Sequence, residues 1–136
     1  MDHNLQILGL AKKAGLLAVG AQDTVTAARA GKVSVVVSAN DASGNAVRNA
    51  QKSAGSCNAI HVVVPYSGFD LGNVSGRGSP GTVAILDIGL AERFLRGMAE
   101  TDPTRYGEPA EQLERESRKR AENSRKTPSG KRRTTL

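Results

Sequence analysis

The 136-residue sequence has no tryptophan, two tyrosines, two phenylalanines and a single cysteine. The lone Cys57 excludes an internal disulfide, so nothing in the sequence points to an oxidising compartment. No apolar run approaches the roughly 20 residues that a membrane-spanning helix needs. The apolar stretch from Leu16 to Val19 is short and follows an amphipathic segment and two lysines, an order that signal peptides do not have. We therefore expect a cytoplasmic protein.

Signatures of catalysis and metal binding are also missing. Cys57, His3 and His61 lie far apart in the sequence and do not have the spacing of metal ligands. No nucleophile elbow supports a Ser-His-Asp arrangement. His61 falls in an apolar strand pattern, where a hydrogen-bonded sheet residue is commoner than a ligand or base, and Cys57 suits a small apolar filler. We expect no enzyme, no metal site and no cofactor.

The positive charge is spread unevenly. Of the net charge of +6, residues 1–100 supply about +2 from nine basic and seven acidic residues, and residues 101–136 supply the rest. That second segment contains three prolines, two glycines and few apolar residues, which predicts a basic, disordered tail after one domain at residues 1–100. Such a tail would attract nucleic acid without specificity. A solubilising terminus is the alternative.

Helix and strand patterns alternate along residues 1–100. Four short β-branched or apolar runs predict strands, at about residues 16–19, 33–38, 60–64 and 82–87. Segments with helical spacing and capping residues separate and flank them. This alternation predicts an α/β protein, a three-layer α/β/α sandwich around a small sheet.

The first strand runs through Gly20 directly into a predicted helix that begins Ala21-Gln22-Asp23. Such a turn leaves the first N–H groups of the helix without partners and adds the positive end of the helix dipole. Phosphate or an electron-rich base edge suits that position. Alternatively, Gln22 and Asp23 only satisfy N–H groups of their own turn.

A second glycine-rich stretch, from Gly76 to Gly81, has the spacing Gly-x-Gly-x-x-Gly. In dinucleotide-binding folds this motif follows a strand and opens a helix, whereas here it leads into a strand, which argues against a Rossmann site. Two interpretations remain open. The stretch is either a flexible loop or a loop that exposes its backbone, with Arg77 as a cation for phosphate beside Gly78 and Ser79.

Several motifs resemble the kink-turn-binding ribosomal protein family, the large-subunit proteins L-seven-Ae and L-thirty-e and their small bacterial relatives. The most specific is the run Leu-Gly-Leu-Ala-Lys-Lys-Ala-Gly at residues 8–15, which looks particularly like the bacterial branch. Gly20-Ala21-Gln22-Asp23 and the stretch from Val83 to Gly89 continue the match. It extends over about residues 3–99 and leaves the basic segment outside.

The resemblance implies a four-stranded mixed sheet, no catalysis and binding of sharply bent RNA. In the family, the strand-to-helix turn reads tandem sheared G·A pairs through the pattern Gly-x-Asn-Glu-x-x-Lys, and a loop before the last strand packs against a flipped-out nucleotide. Here Gly20 matches the glycine of this pattern, Gln22 occupies the position of the Asn, and Asp23 occupies the position of the Glu. Thr26 replaces the Lys, so a cation that would face the nucleic acid is missing.

We therefore predict a monomeric, non-catalytic protein that binds structured, kink-turn-like RNA and associates with ribosomes. The residues expected to contact RNA are Gly20, Ala21, Gln22, Asp23, Thr26, Arg77, Gly78 and Ser79. One alternative is a protein-interaction adaptor that keeps the scaffold without specific RNA binding. A small-molecule pocket between the two loops is another.

Overall fold

A computed structural model describes residues 2–76 and 78–131, with the side chains of the last helix described as far as Glu122. Within these residues the chain forms, in order, α1 (His3–Lys13), β1 (Leu17–Val19), α2 (Ala21–Arg29), β2 (Val35–Ser38), α3 (Gly44–Ser56), β3 (Ile60–Val63), α4 (Gly68–Ser75), β4 (Thr82–Ile85), α5 (Ile88–Thr101) and α6 (Pro103–Lys131). No described helix is both long and apolar enough to cross a membrane.

The four strands form one mixed sheet in the order β1-β4-β2-β3. β4 pairs antiparallel with both β1 and β2, and β3 pairs parallel with β2. The three valines of the central strand β2 are completely buried, which explains why this run is apolar without alternation up to the buried Ser38. The predicted four-stranded mixed sheet is confirmed.

Helices cover the sheet on both faces. Side chains of α1, α4 and α5 pack with one set of strand residues in the larger core cluster. On the other face, α2 and α3 contribute mainly alanines, Ala28, Ala50 and Ala54, against Val36 and Ala84 of the sheet. These small side chains let two helices approach the sheet closely. The predicted α/β/α sandwich is therefore confirmed.

Local capping signals fix the first helix. The Asp2 carboxylate accepts a hydrogen bond from the Asn4 N–H at 2.7 Å, and Lys12 and Lys13 occupy the last turn, where cations suit the helix dipole. Gly15 then adopts a left-handed φ of 75°, and the chain enters β1. The helix that the sequence predicted here is confirmed.

The prediction of disorder from residue 101 onward is wrong for residues 103–122. This segment is the first part of α6, which packs along α5 and against β3. Tyr106 and Leu113 are buried in the larger core cluster, and Ala110 packs against it. The Tyr106 hydroxyl also donates a hydrogen bond to the Val63 carbonyl at 2.6 Å, which satisfies an acceptor on the outermost strand. Residues 132–136 lie outside the described part of the chain.

The apolar face of α6 is narrow. Tyr106, Ala110 and Leu113 stand at positions i, i+4 and i+7, one side of a helix, among residues that are mostly charged or polar. Three apolar positions suffice because α5 and the outer edge of the sheet already provide an apolar surface. The domain therefore extends beyond residue 100.

Candidate functional site

Four connecting segments meet at one edge of the sheet, where β1, β2 and β3 end and β4 begins. Backbone hydrogen bonds join them: Gly20 N–H to the Thr82 carbonyl (2.8 Å), Ala39 N–H to the Gly81 carbonyl (2.9 Å) and Asn40 N–H to the Tyr66 carbonyl (2.8 Å). We call the surface formed by residues 20–23, 39–42, 66–69 and 78–81 the loop edge. It contains the Gly20 turn and residues 78–81 of the second glycine-rich stretch.

The turn between β1 and α2 depends on Gly20. Its φ of 94° and ψ of 161° are accessible almost only to glycine. A Cβ at this position would meet no atom within 4 Å, so the backbone conformation, not lack of space, requires glycine. The turn exposes Ala21, Gln22 and Asp23 at the start of α2. The first turn of the helix is therefore presented to solvent together with an amide and a carboxylate.

Thr26 lies one turn further along α2 and is exposed. Its hydroxyl donates a hydrogen bond to the Gln22 carbonyl at 3.1 Å, so it is directed back to its own helix. A lysine at this position would extend into solvent and carry a charge. Thr26 therefore contributes no cation to the loop edge.

The second glycine loop packs against the start of α4. A Cβ at Gly68 would lie 3.1 Å from the carbonyl oxygens of Ser79 and Pro80, so a larger residue here would have to displace the second loop by a few tenths of an ångström. Gly78, with a φ of 40°, and Ser79 are exposed beside it. The loop thus reaches the same surface as the α2 turn. Arg77, which we predicted to hold phosphate, lies outside the described residues.

Two carboxylates of the loop edge and its neighbourhood are engaged in capping. Asp41 accepts a hydrogen bond from the Gly68 N–H at 2.9 Å. Asp70 accepts one from the Ser67 N–H at 3.1 Å, and the Ser67 hydroxyl accepts one from the Asp70 N–H at 3.1 Å. Both carboxylates thereby lie at the positive end of α4, which offsets part of their charge. They stiffen this part of the surface.

Phe69 is a residue of the loop edge that the sequence analysis missed. Its side chain is 65% exposed, in the first turn of α4 next to the Gly68 contact with the second loop. An exposed aromatic ring is costly to leave in water and offers a face on which a base can stack. The available signal was its place two residues after Ser67, the N-cap of α4, at the exposed start of a helix beside the second loop.

His61 and Cys57 do not belong to the loop edge, and each has a partner of its own. His61 Nε2 is 2.9 Å from the Ser38 hydroxyl, as expected for a hydrogen-bonded sheet residue, and burial lowers the pKa of this histidine below its ordinary 6.5. The Cys57 thiol lies 3.5 Å from the Ser53 carbonyl. Among the described residues, no three His, Cys, Asp or Glu side chains are grouped to hold a metal ion.

The basic part of α6 lies away from the loop edge. Tyr106 contacts Val63 at the end of β3, near the loop edge, and the helix then returns along α5, so that Glu114 lies near Glu92. With a rise of about 1.5 Å per residue, Lys119 is about 20 Å further along the axis than Tyr106. The cations at residues 118–120 therefore lie toward the far end of the sheet.

No protein-family model matches the sequence, and no curated protein matches it. Solved structures do. A protein of unknown function from Bacillus halodurans aligns with a TM-score of 0.65 at 25% identity, over 71% of this chain and 97% of that chain. A 15.5 kDa RNA-binding protein from Giardia lamblia aligns with a TM-score of 0.54 at 17% identity, over 71% of this chain and 82% of that chain. The fold is therefore shared with both.

Proposed function

We propose that the protein binds structured RNA of the kink-turn type at the loop edge, without catalysis, in the cytoplasm and in association with ribosomes. The observation that carries this proposal is the exposed first turn of α2, where Gly20 aims the start of the helix outward with Gln22 and Asp23 beside it. Both side chains have the groups that read base edges. The amide of Gln22 donates and accepts, and the carboxylate of Asp23 accepts from amino and imino groups.

The neighbouring segments suit an unpaired nucleotide. Phe69 provides an aromatic face, and Gly78 and Ser79 expose backbone groups of the second loop. Specific recognition of RNA usually targets bases that are unstacked from a helix, because the major groove of A-form RNA is too narrow to read. A bent RNA exposes such bases. A continuous straight duplex does not.

Two likenesses support this assignment. The structural neighbour from Giardia lamblia is an RNA-binding protein, and it shares this fold. Independently, the run at residues 8–15 and the turn at residues 20–23 resemble the kink-turn-binding ribosomal proteins. Together they favour RNA over other ligands of an α/β/α scaffold.

A protein-interaction adaptor is the second candidate. One observation in its favour is Thr26, which occupies the position of the family's lysine and donates its hydroxyl hydrogen bond to its own helix. The other is the exposed ring of Phe69, which would also suit a protein partner. An adaptor would retain the fold and show no preference for bent RNA. The two candidate functions therefore predict different ratios of affinity for kink-turn RNA to affinity for straight duplex RNA.

The test compares binding of a kink-turn RNA with binding of a straight RNA duplex of equal length, by gel-shift titration at fixed salt. We expect the protein to prefer the kink-turn. Replacing both Gln22 and Asp23 by alanine should remove most of this preference, since a good bidentate base contact contributes about 1–3 kcal/mol. Both side chains are exposed, and the Asp23 carboxylate lies in the first turn of α2, so the variant should lose no more than about 1 kcal/mol in free energy of unfolding, as followed by circular dichroism.

The matched control is the double variant Glu111→Ala, Gln112→Ala on the exposed side of α6. It removes the same two functional groups and the same charge away from the loop edge, and it should keep the preference for the kink-turn. If the unmodified protein binds both RNAs equally, the proposal is wrong and the adaptor becomes the better candidate. If the Gln22, Asp23 variant keeps the full preference, the α2 turn is not the recognition site.

A further inference from the structure

The outer face of α3 presents a row of hydrogen-bond donors. Asn45, Arg48, Asn49 and Lys52 occupy positions i, i+3, i+4 and i+7, which places them along one side of the helix. Together with Gln51 they line an open groove of about 410 Å³. We call these four residues the α3 stripe.

The α3 stripe is positively charged without compensation. No residue from Gly44 to Ser56 is acidic, and within the described part of the chain neither Arg48 nor Lys52 forms an ion pair. Other arginines behave differently: Arg96 lies 3.7 Å from Glu92, and Arg120 lies 3.6 Å from Glu116. The stripe thus offers cationic and amide donors and no carboxylate, a composition that suits a polyanion.

The stripe adjoins the loop edge. Ser43, the N-cap of α3, comes directly after the loop-edge segment 39–42. The Arg48 guanidinium extends back toward the helix start, where a Cβ on Gly44 would lie 3.5 Å from it. Asn49 and Ala21 line the same small cavity between α3 and the first turn of α2. The stripe therefore lies on the helix that packs beside the first turn of α2.

We propose that the α3 stripe binds the sugar–phosphate backbone of the RNA held at the loop edge, at the stem that leaves the bend. This inference rests on the proposed function. The donors suit phosphate oxygens, and the groove is open, so it positions the RNA backbone and reads no sequence. The loop edge selects the bend, and the stripe adds affinity that depends on salt.

The test is a salt titration of kink-turn RNA binding by the full chain and by the double variant Arg48→Ala, Lys52→Ala. Each phosphate contact contributes roughly −0.7 to −0.9 to the slope of log affinity against log salt in DNA, so two lost contacts should make the slope less negative by between about one and two. The affinity loss of this variant should accordingly be roughly tenfold greater at about 50 mM salt than at about 200 mM. The ratio of kink-turn to duplex affinity should not change.

The matched control is Lys12→Ala, Lys13→Ala, which removes the same charge from the last turn of α1, at the end of the sheet away from the loop edge. It should leave the salt slope unchanged. Equal slopes and equal affinity losses in the two variants would show that only net charge matters, and would overturn the inference. A parent protein without preference for the kink-turn would instead refute the proposed function, so the two failures are distinguishable.

Discussion

The docking of α6 makes a quantitative prediction about stability. Leu113 is 3% exposed and belongs to the larger core cluster together with Tyr106. Replacing Leu113 by alanine deletes three carbons, a transfer term of about 2.4 kcal/mol at 0.8 kcal/mol per carbon. The cavity that such a substitution leaves in a core adds to this term, so the total loss of stability is about 2–5 kcal/mol. We expect the lower half of that range, because α6 lies at the edge of the core and can shift to fill part of the space.

The measurement is equilibrium unfolding in urea, followed by far-ultraviolet circular dichroism and by tyrosine fluorescence. The chain has no tryptophan, so emission reports on its two tyrosines, Tyr66 and Tyr106, both of them buried. The two signals should coincide, since α6 and the sheet share one core. A loss of 2–3 kcal/mol in a chain of this length corresponds to a fall of roughly 10 °C in Tm.

Leu10→Ala provides the control, since Leu10 also lies in a helix but is 48% exposed. Its replacement should cost less than about 1 kcal/mol, because it removes little buried area and alanine favours helix. If Leu113→Ala costs no more than Leu10→Ala, α6 does not contribute to the core. The same conclusion would follow if the fluorescence and dichroism transitions separated, with the helix melting first.

Three further predictions concern single residues. Gly20→Ala should lower the free energy of unfolding by about 1–3 kcal/mol, because its φ of 94° strains any other residue, and chemical denaturation measures this. Burial raises the pKa of Tyr66 from 10.0 to about 12, and its hydroxyl donates a hydrogen bond to Asp2 at 2.9 Å. The unfolded state therefore releases this proton first, and stability should fall as pH rises from 10 through 12, as thermal melts would show. Burial lowers the pKa of His61, so stability should fall as pH drops below 6.5, and Ser38→Ala tests whether the 2.9 Å contact contributes.

Much of the fold could be predicted because its signals are local. Asp2, Ser43 and Ser67 cap three helices by accepting hydrogen bonds from N–H groups two or three residues away. Runs of β-branched residues mark the strands, since a buried strand needs apolar side chains on both faces. Each signal acts within one turn or one strand and needs no distant partner.

The start of α6 could not be predicted in the same way. Its apolar positions, Tyr106, Ala110 and Leu113, are too few to indicate a docked helix among so many charges. They are buried only because α5 and β3 provide an apolar surface and the Val63 carbonyl an acceptor. That complementarity joins residues 43 positions apart in the sequence.

One part of the candidate site could be predicted from local sequence, and the other part depends on contacts between distant residues. The turn that exposes Gln22 and Asp23 could be predicted from adjacent residues, because Gly20 directly precedes the start of the helix and sets its direction. Strand pairing such as that of Ser38 with Thr82, together with the packing of α3 and α4, brings that turn to the second loop, to Phe69 and to the α3 stripe. Capping and periodicity act over short range, so the amino-acid sequence was enough to predict α1 to α5, the four strands and the turn at Gly20. Which segments share one surface follows from strand pairing and helix docking, and these depend on contacts between residues far apart in the chain.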